Sequence, residues 1–360
     1  MVTSGAGSGS PTIVSIAERA GVSIASVSRV LNGLSTRRAT EERVRKAAAE
    51  LGYVPNSVAR SLKGGRTRQL TFAMPDIGNP AYVAMVREIQ VVAKAAGYRL
   101  LLHSTDAVTE DELAVVHSLA ERTSDGLIIC PIRITPQHVE AIEQASAPVV
   151  VIGSPPPDAA LDCVQTDSAI GAQKAVWHLA DTGRRRIALI NGPVDTVPGR
   201  NRDEGYRKAL TDRGLSYDPG LTAVTDFAVA AGTAAAHELL NRRPDLDAIF
   251  CANDQLALGA VQTLHARGIH IPEDVAVAGM DDSVLARAAW PPLTSVDLCS
   301  SKRGRLATEL LLERLGETAA EQGEQAEPAE HPEDTPAAPR RTTTEPRLVV
   351  RESTVPARSA

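Results

Sequence analysis

The apolar positions of the chain follow two patterns, which change at about residue 66. Before this point, apolar residues recur three and four positions apart, and this spacing places them on one face of an α-helix. After it, short continuous aliphatic runs of strand length alternate with stretches of helical period. The pattern predicts an all-α head followed by a larger α/β core.

Cap and turn residues divide the head into three short helices. Thr12 is suited to cap the first helix and Gly21 to end it in a turn. Ser23 is suited to cap the second helix, and Thr40 to cap a third that ends near Gly52. We therefore expect a compact three-helix unit at this end of the chain.

Nearly continuous aliphatic runs predict the strands of the core. The runs are QLTFAMP, YRLLLHS, DGLIICP, PVVVIG, RIALING, AIFCAND and DVAVAGM, and PRLVVREST has strand character near the C-terminus. Such strands, separated by helices, are typical of parallel sheets that are covered on both faces. Because ten or so strands are too many for one comfortable sheet, we expect two doubly wound parallel-sheet lobes.

Polar residues follow several of these strands directly, in the segments PDIGNP, INGP, CANDQ and GMDD. In parallel α/β sheets, ligands bind at the carboxyl ends of the strands. The sequence therefore predicts a small-molecule site that is built from these segments.

Charge is unevenly distributed along the chain. The formal net charge is −6, yet residues 1–66 hold ten Arg or Lys against four Asp or Glu. A basic head on an acidic body is expected of a protein that binds a polyanion such as DNA. The four cysteines form no close pair, which suggests core positions in a reducing compartment. Without a signal pattern or an apolar run of ~20 residues, a cytoplasmic protein with no membrane partner is expected.

The common sequence signatures of enzymes are missing from the chain. It contains no G-x-x-x-x-G-K-[ST], G-x-G-x-x-G or G-x-S-x-G, and His237-Glu238 is followed by Asn241 where a zinc motif needs a second histidine. Asp281 and Asp282 are adjacent, and acceptance of ligand hydroxyl groups is favoured over a catalytic pair. We expect no enzyme, no cofactor and no metal site.

The second predicted helix carries a surface suited to DNA. Val27, Val30 and Leu31 share the face that packs on the core of the head. Small or polar residues cover the other faces, namely Ile24, Ala25, Ser26, Ser28, Arg29 and Asn32. Arg29 can bind guanine with two hydrogen bonds, and the hydroxyl and amide groups can bind phosphate. An ordinary surface helix, the alternative, would carry Glu/Lys pairs four residues apart.

Longer segments resemble the lactose-repressor (LacI/GalR) family of bacterial transcriptional regulators. In the head and hinge these are TIVSIAERAGVSIASVSRVLNG and TEERVRKAAAELGYVPNSVARSLKGGRT. In the core they include PDIGNPAY, GRRRIALINGP, RDEGYRKAL, AIFCANDQLALGA, IPEDVAVAGMDD, PPLTSV and LVVREST. The resemblance implies a helix-turn-helix head, a hinge, and a core of two lobes like periplasmic sugar-binding proteins.

The resemblance also implies roles for residues of the head. Ile24, Ala25 and Arg29 would contact bases in the major groove, and phosphate contacts would come from Thr12, Ser23, Ser26, Ser28 and Asn32. In the hinge, Asn56, Ala59 and Leu62 would complete the DNA-binding set, with Leu62 wedged into the minor groove; a core position for Leu62 is the alternative. The hinge segment NSVARSL is shorter than the ~12–15 residues that an isolated helix needs. It is therefore expected to form a helix only with DNA and a partner hinge.

In the core, the resemblance places five residues in an effector cleft. They are Tyr82, Arg202, Phe227, Asn253 and Asp281. Their side chains suit a polyol, because a guanidinium, an amide and a carboxylate bind hydroxyl groups and an aromatic ring covers a sugar's C–H face. Asp254 and Asp282 are expected to brace loops instead. Gly153 stands where many relatives have Asp, which leaves the class of ligand open.

Composition and resemblance together divide the chain into five parts. We expect a disordered N-terminus over 1–10, a head over 11–54, a hinge helix and linker over 55–67, an effector-binding and dimerisation core over 68–316 and 346–357, and a disordered acidic, proline-rich insertion over 317–345. The insertion has almost no aliphatic residues with which to order itself, and a long interaction tail is the alternative.

The resulting hypothesis is a homodimeric transcription factor, expected to be a repressor, that binds a pseudo-palindromic operator in double-stranded DNA. A small-molecule effector in the cleft, a sugar or sugar derivative with a purine as the alternative, would control its affinity for DNA. Two other classes stay open at this point. One is a solute-binding protein of a transport system with the same core, and the other is an enzyme on a doubly wound fold.

Overall fold

The computed structural model describes residues 11–31, 34–53, 66–316 and 338–355. The chain divides into two compact units, residues 1–67 and 68–360, which we describe separately. The predictions for residues 1–10, for most of the hinge and for much of the insertion lie outside the described residues. The same holds for four predicted DNA-binding residues, Asn32, Asn56, Ala59 and Leu62.

The head consists, in its described part, of three α-helices around one small core. They are α1 (Ile13–Ala20), α2 (Ile24–Leu31) and α3 (Arg38–Glu50). The Thr12 hydroxyl accepts a hydrogen bond from the Ser15 backbone N at 3.3 Å, and Ser23 Oγ accepts one from the Ser26 backbone N at 3.1 Å. Both predicted caps are thus confirmed. Gly21 ends α1 at φ 62°, a left-handed conformation that glycine adopts without strain.

The predicted N-cap of the third helix is wrong by three residues. We expected Thr40 to be the cap, whereas α3 begins at Arg38 after an extended Arg37 that provides no side-chain cap. The Arg37 carbonyl accepts hydrogen bonds from the backbone N of Thr40 at 2.8 Å and of Glu41 at 3.1 Å. These bonds close the first helical turn before Thr40, so its hydroxyl has no capping role.

The core unit contains two six-stranded sheets. In chain order the strands are β1 (Gln69–Met74), β2 (Arg99–Ser104), β3 (Gly126–Ile129), β4 (Val149–Ile152), β5 (Asp162–Thr166), β6 (Ile187–Asn191), β7 (Thr222–Val224), β8 (Ala248–Cys251), β9 (Ala276–Met280), β10 (Thr294–Asp297), β11 (Arg341–Thr344) and β12 (Arg347–Val349). The first sheet has the order β11-β5-β4-β3-β1-β2, and all its pairs are parallel. The second has the order β12-β10-β9-β8-β6-β7 and is parallel except for β12, which pairs antiparallel with β10.

Helices cover both faces of each sheet. They are α4 (Pro80–Ala95), α5 (Thr109–His117), α6 (Pro136–Glu143), α7 (Ser168–Asp181), α8 (Val197–Asp212), α9 (Val229–Arg242), α10 (Asp254–Ala266), α11 (Val284–Ala288) and α12 (Ser300–Arg314), with short 3-10 helices at Ser118–Glu121 and Pro219–Leu221. In the first lobe, Phe72 packs with residues of α4 and α12, and Leu127 on the other face packs with residues of α5 and α6. In the second lobe, Phe250 packs towards α7 and α8, and Ile249 towards α9 and α10. The two doubly wound lobes that the sequence predicted are confirmed.

The chain passes between the lobes at three adjacent points. The crossings run from Thr166 to α7, from Asp297 to α12, and from Thr344 to β12. Thr166 Oγ1 donates a hydrogen bond to the Thr344 carbonyl at 3.1 Å, and Cys299 Sγ donates one to the Glu345 carbonyl at 3.3 Å. The crossings are therefore linked to one another at the boundary between the lobes.

The predicted disorder of residues 317–345 is wrong for residues 338–345. Here β11 adds a strand to the edge of the first sheet, in parallel register with β5. Asp162 fixes its start, since the carboxylate accepts a hydrogen bond from the Arg340 backbone N at 2.7 Å and forms an ion pair with Arg314 at 2.7 Å. Backbone pairing and this charged anchor order a segment that has little apolar surface.

Candidate functional site

The second helix of the head presents its predicted DNA-binding residues away from the core. Val27 and Val30 are buried, and Leu31 packs against the same cluster. Ile24, a large apolar residue, is 45% exposed at the start of the helix, beside exposed Ala25. The exposed face near the start of α2 is thus made of small and apolar groups, which allow the backbone to approach a groove closely.

Hydroxyl groups lie at the starts of α1 and α2. Because a hydroxyl has one donor and two acceptor positions, Thr12 Oγ1 can cap α1 and still donate to a phosphate. The Ser23 and Ser26 hydroxyls lie 3.0 Å apart, so one donates to the other and one O–H remains for an outside acceptor. Capping and phosphate binding are therefore compatible at these positions.

Arg29 is exposed near the end of α2. Its Nη2 donates a hydrogen bond to the Ser35 carbonyl at 3.2 Å, and the backbone N of Leu34 donates to the Arg29 carbonyl at 2.9 Å. One contact orients the guanidinium, which has five N–H groups. The remaining N–H groups suffice for a two-bond contact with guanine.

In the core unit, a cavity of about 410 Å³ lies at the carboxyl ends of strands from both sheets. All five predicted effector residues line it, although they come from separate parts of the chain: Tyr82, Arg202, Phe227, Asn253 and Asp281. The segments PDIGNP, CANDQ and GMDD also contribute to the wall. The segment INGP does not line the cavity, but its Gly192 lies against the Phe227 ring.

Arg202 is a buried guanidinium on the wall of this cavity. It lies within α8 and is 8% exposed. Its Nη1 donates a hydrogen bond to the Ala252 carbonyl at 2.6 Å, while Nε has no partner. The guanidinium carbon lies 5.9 Å from the centre of the Phe227 ring. This geometry places a fixed positive charge beside an aromatic face.

Asn253 both caps a helix and holds the Phe227 loop. Its Oδ1 accepts a hydrogen bond from the Leu256 backbone N at 2.8 Å, as the cap of α10. Its Nδ2 donates one to the Phe227 carbonyl at 3.0 Å. The amide therefore has a structural role in addition to its position on the cavity wall, and one N–H group remains for a ligand.

Asp281 follows β9 at φ 110°, a strained conformation for a residue other than glycine. Burial raises the pKa of its carboxyl to about 6, while the charges of Arg202 and Arg303 favour the ionised form. Burial also raises the pKa of Tyr82 well above its usual range, so its phenol stays protonated. The site thus offers an acidic acceptor and a phenolic donor to hydroxyl groups.

Asp254 and Asp282 brace loops, as predicted. Asp254 is buried and accepts hydrogen bonds from Ser295 Oγ at 2.6 Å and from the Ser283 backbone N at 2.7 Å. Asp282 forms an ion pair with Arg351 at 2.6 Å. These contacts fix the loop that carries Asp281 to the neighbouring strand and to the C-terminal segment.

The sequence reasoning missed Arg303, which also lines the cavity. It lies in the first turns of α12, is 9% exposed, and comes from the other lobe than Arg202. Its helix begins after three residues that follow the PPLTSV segment, so the first turn lies at the carboxyl end of a strand, but the charged neighbours Lys302 and Arg305 make Arg303 look like a surface residue in the sequence. Gly153 lines the cavity as well, and a Cβ atom there would meet its nearest atom at 3.7 Å.

No group of three or more His, Cys, Asp or Glu in the described part of the chain could hold a metal ion. Likewise, none of the described helices combines the length and the apolar character that crossing a bilayer requires.

A three-helix head whose second helix exposes small side chains and one arginine, joined in one chain to a two-lobed core with a cavity, defines a ligand-responsive DNA-binding regulator. The profile of the bacterial regulatory proteins of the lacI family matches residues 12–56, and that of the periplasmic binding protein-like domain matches residues 176–354. The HTH-type transcriptional regulator CelR of Thermobifida fusca is 38% identical over 317 residues, 86% of this chain and 93% of that protein.

Two solved structures extend the similarity over nearly the whole chain. The CelR–cellobiose complex is 35% identical, with a TM-score of 0.69 over 95% of this chain and 99% of that one. The lac repressor dimer bound to operator and the anti-inducer ONPF is 28% identical, with a TM-score of 0.81 over 96% of this chain and 99% of that one. The chain belongs to the LacI family of bacterial regulatory proteins, whose members bind operator DNA as dimers and respond to sugar or purine effectors.

Proposed function

We propose that this regulator is a repressor that binds a pseudo-palindromic operator as a homodimer and that a sugar or sugar derivative in the core cavity controls its affinity for DNA. The observation that carries the proposal is the convergence of Arg202, Phe227, Asn253 and Asp281 from one lobe with Tyr82 from the other on a single cavity. A ligand that contacts both lobes binds more tightly to the arrangement in which they are closed.

The three adjacent crossings provide the path from ligand to DNA. They are short and lie at the boundary between the lobes, so small rotations there change how the lobes are oriented. A ligand shifts such an equilibrium only by its difference in affinity for the two states, typically about 1–3 kcal/mol of coupling. A change of this size is enough to alter occupancy of an operator.

In the head we assign base contacts in the major groove to Ile24, Ala25 and Arg29. Phosphate contacts are assigned to Thr12, Ser23, Ser26, Ser28 and Asn32, and hinge contacts to Asn56, Ala59 and Leu62. The exposure of Ile24, Ala25 and Arg29 supports the first assignment. The unused O–H donors at the starts of α1 and α2 support the second.

We further propose that the core binds its ligand without chemical change. The described lining residues include no histidine, and burial raises the pKa of their only thiol, Cys130, to about 12. Acyl or phosphoryl transfer would need a nucleophile beside a base, and among the described residues no hydroxyl of the lining is hydrogen-bonded to a carboxylate or an imidazole. A solute-binding role is not favoured, because the lacI-family head at residues 12–56 has no use in solute transport.

The test begins with selection of bound duplexes from a random pool by the full-length protein, followed by gel-shift titration with and without sugars and purines. We expect the selected sites to contain two related half-sites in inverted orientation, and at least one sugar to change operator affinity. A pool without an enriched sequence would contradict the function. An effect of purines alone would contradict the effector class, and an operator affinity that no sugar changes would contradict the proposed control by the cavity.

A further inference from the structure

Arg303 brings a second buried guanidinium to the ligand cavity. It lies on α12, which begins where the chain crosses from the second lobe to the first. Its Nη2 donates a hydrogen bond to Ser300 Oγ at 3.3 Å, and its Nε is buried without a partner. The side chain is therefore held in place, but its hydrogen-bonding capacity is only partly used.

Arg202 and Arg303 share the inner wall of the cavity. Neither forms an ion pair within the described residues, and each has an unpartnered Nε. Burial lowers the pKa of Arg202 and the charge of Arg303 lowers it further, while the charges of Asp281 and Asp254 raise it. The two guanidinium groups, which come from different lobes, thus repel each other electrostatically, and both remain protonated.

The negative charge around this pair is incomplete. Four carboxylates line the cavity, but Asp76, Asp106 and Asp226 are exposed to solvent, where water and salt screen them. Only Asp281 lies partly buried beside the guanidinium groups, outside ion-pair distance of either. Asp254 is a second buried carboxylate whose charge acts on Arg202, but it does not line the cavity, and its oxygens accept hydrogen bonds from Ser295 and Ser283. On the cavity wall itself the two guanidinium groups thus face one partly buried carboxylate, and buried charges require partners or hydrogen bonds.

The direction of the helices adds to this positive potential. Asn79, Asn253 and Ala228 precede α4, α10 and α9, and all three line the cavity. Each of these helices has its N-terminus at the cavity, where the peptide dipoles favour negative charge. The dipoles and the two guanidinium groups thus act in the same direction.

We propose that the effector of this regulator is a small polyhydroxylated acid, whose carboxylate or phosphate group binds between Arg202 and Arg303. This inference rests on the proposed function, in which the cavity is the effector site. Guanidinium groups match both kinds of anion with paired hydrogen bonds. The exposed carboxylates at the rim then accept hydrogen bonds from the hydroxyl groups of the ligand. A cavity of about 410 Å³ suits a molecule of this size.

The experiment measures equilibrium binding to the full-length protein by calorimetry, with neutral and acidic sugars of matched skeleton. The probes are glucose, gluconate, glucuronate and glucose 6-phosphate, and cellobiose with cellobionate. We expect at least one acid to bind with an affinity at least about tenfold higher than that of its neutral parent. The carboxylates and the phosphate ester form separate arms, so the result also says which anion the two guanidinium groups accept.

Variants connect the preference to Arg303. Arg303→Gln removes the charge and keeps hydrogen-bonding capacity, and we expect it to lose about tenfold or more in affinity for the acid but not for the neutral parent. Arg303→Lys keeps the charge and should retain part of the preference, which separates the charge from any effect on folding. Arg305→Gln is the matched control, because Arg305 lies on the same helix but is exposed and pairs with Glu88 at 3.4 Å.

Three outcomes would overturn the inference. The neutral parent could bind as tightly as the acid, or more tightly, in every pair, or no acid could show saturable binding. The third is that Arg303→Gln loses as much affinity for the neutral sugar as for the acidic one. Operator binding without added sugar is measured in parallel by gel shift, since it does not depend on the charge of the effector. If neutral sugars release an intact operator complex, this inference fails and the proposed function stands. If no duplex is bound specifically, the proposed function fails, while the measured charge preference still decides the chemistry of the cavity.

Discussion

Phe227 lies against Gly192, so that a Cβ atom on residue 192 would be 2.0 Å from Cζ of the aromatic ring. Real Cβ atoms do not approach other atoms this closely, and the neighbouring ring carbon Cε1 would be at 2.2 Å. On the cavity wall, the guanidinium carbon of Arg202 also lies over this ring, 5.9 Å from its centre. Phe227 therefore keeps its place beside the ligand only while residue 192 has no side chain.

We predict that Gly192→Ala displaces the Phe227 ring and weakens effector binding. Because the Phe227 ring is only partly buried and can turn aside, we expect ligand affinity to fall clearly and the free energy of unfolding to fall less than the ~1–3 kcal/mol that overpacking costs in a core. Chemical denaturation and calorimetric titration with the effector measure the two effects. Gly153→Ala is the control, since its Cβ would meet the nearest atom at an ordinary 3.7 Å. Equal behaviour of the two variants would contradict the steric argument.

A second prediction separates the two roles of Asn253. Asn253→Asp keeps an oxygen for the Leu256 backbone N and adds negative charge at the start of α10, so the cap should survive. It loses the donor to the Phe227 carbonyl and places two acceptors face to face. We expect a clear loss of effector affinity, together with a loss of stability that comes from the buried charge facing the Phe227 carbonyl and not from the cap.

Asn253→Ala is the matched variant, because it removes both contacts. It should lose about 0.5–2 kcal/mol of stability through the missing cap, and effector affinity as well. Thermal unfolding and calorimetry on the same samples measure stability and affinity. If Asn253→Asp binds the effector as tightly as the wild type, the contact with Phe227 does not position the ring.

A third prediction concerns pH and the buried carboxyl of Asp254. Burial and, to a smaller extent, the charge of Asp281 raise its pKa to about 7. Between about pH 4 and 7 the folded protein therefore holds a proton that the unfolded chain has released. The free energy of unfolding should fall as pH rises through this window, by up to about 1.4 kcal/mol per pH unit for one proton.

The measurement is urea denaturation of the wild type and of Asp254→Asn over this pH range. The variant has no carboxyl to titrate at this position. As pH rises, the free energy of unfolding of the wild type should therefore fall relative to that of Asp254→Asn. Asp245→Asn is a control, because Asp245 is exposed, and the Arg243 contact lowers its pKa instead. A difference between wild type and Asp254→Asn that stays constant with pH would contradict the raised pKa.

Much of the fold could be predicted because buried parallel strands consist of continuous runs of aliphatic residues. The runs QLTFAMP and AIFCAND are examples, and they became β1 and β8. Strand β11 could not be recognised from RTTT, because backbone pairing with β5 and the anchor at Asp162 hold it in place. Such long-range contacts leave no local pattern in the sequence.

The same distinction applies to the cavity. Asp281 and Asn253 follow aliphatic strands directly, so their place at a sheet edge could be foreseen. Arg303 lies inside a helix with charged neighbours and looks like a surface residue until the packing of α12 on the first lobe is known. The brace formed by Asp254 was expected, whereas its partner Ser295 became evident only from the structure.

The last prediction is that Arg29→Ala weakens operator binding and relaxes the choice of base at one position of each half-site. A lost two-bond contact with guanine costs about 1–3 kcal/mol, whereas a lost phosphate contact weakens all sequences alike. Gel-shift titration and repeated duplex selection measure both effects, and thermal unfolding checks that loss of the Ser35 contact leaves the head folded. Arg45→Ala is the matched control, because this α3 arginine already pairs with Glu41 at 2.8 Å. If Arg29→Ala selects the same sequences with the same affinity, Arg29 does not contact a base.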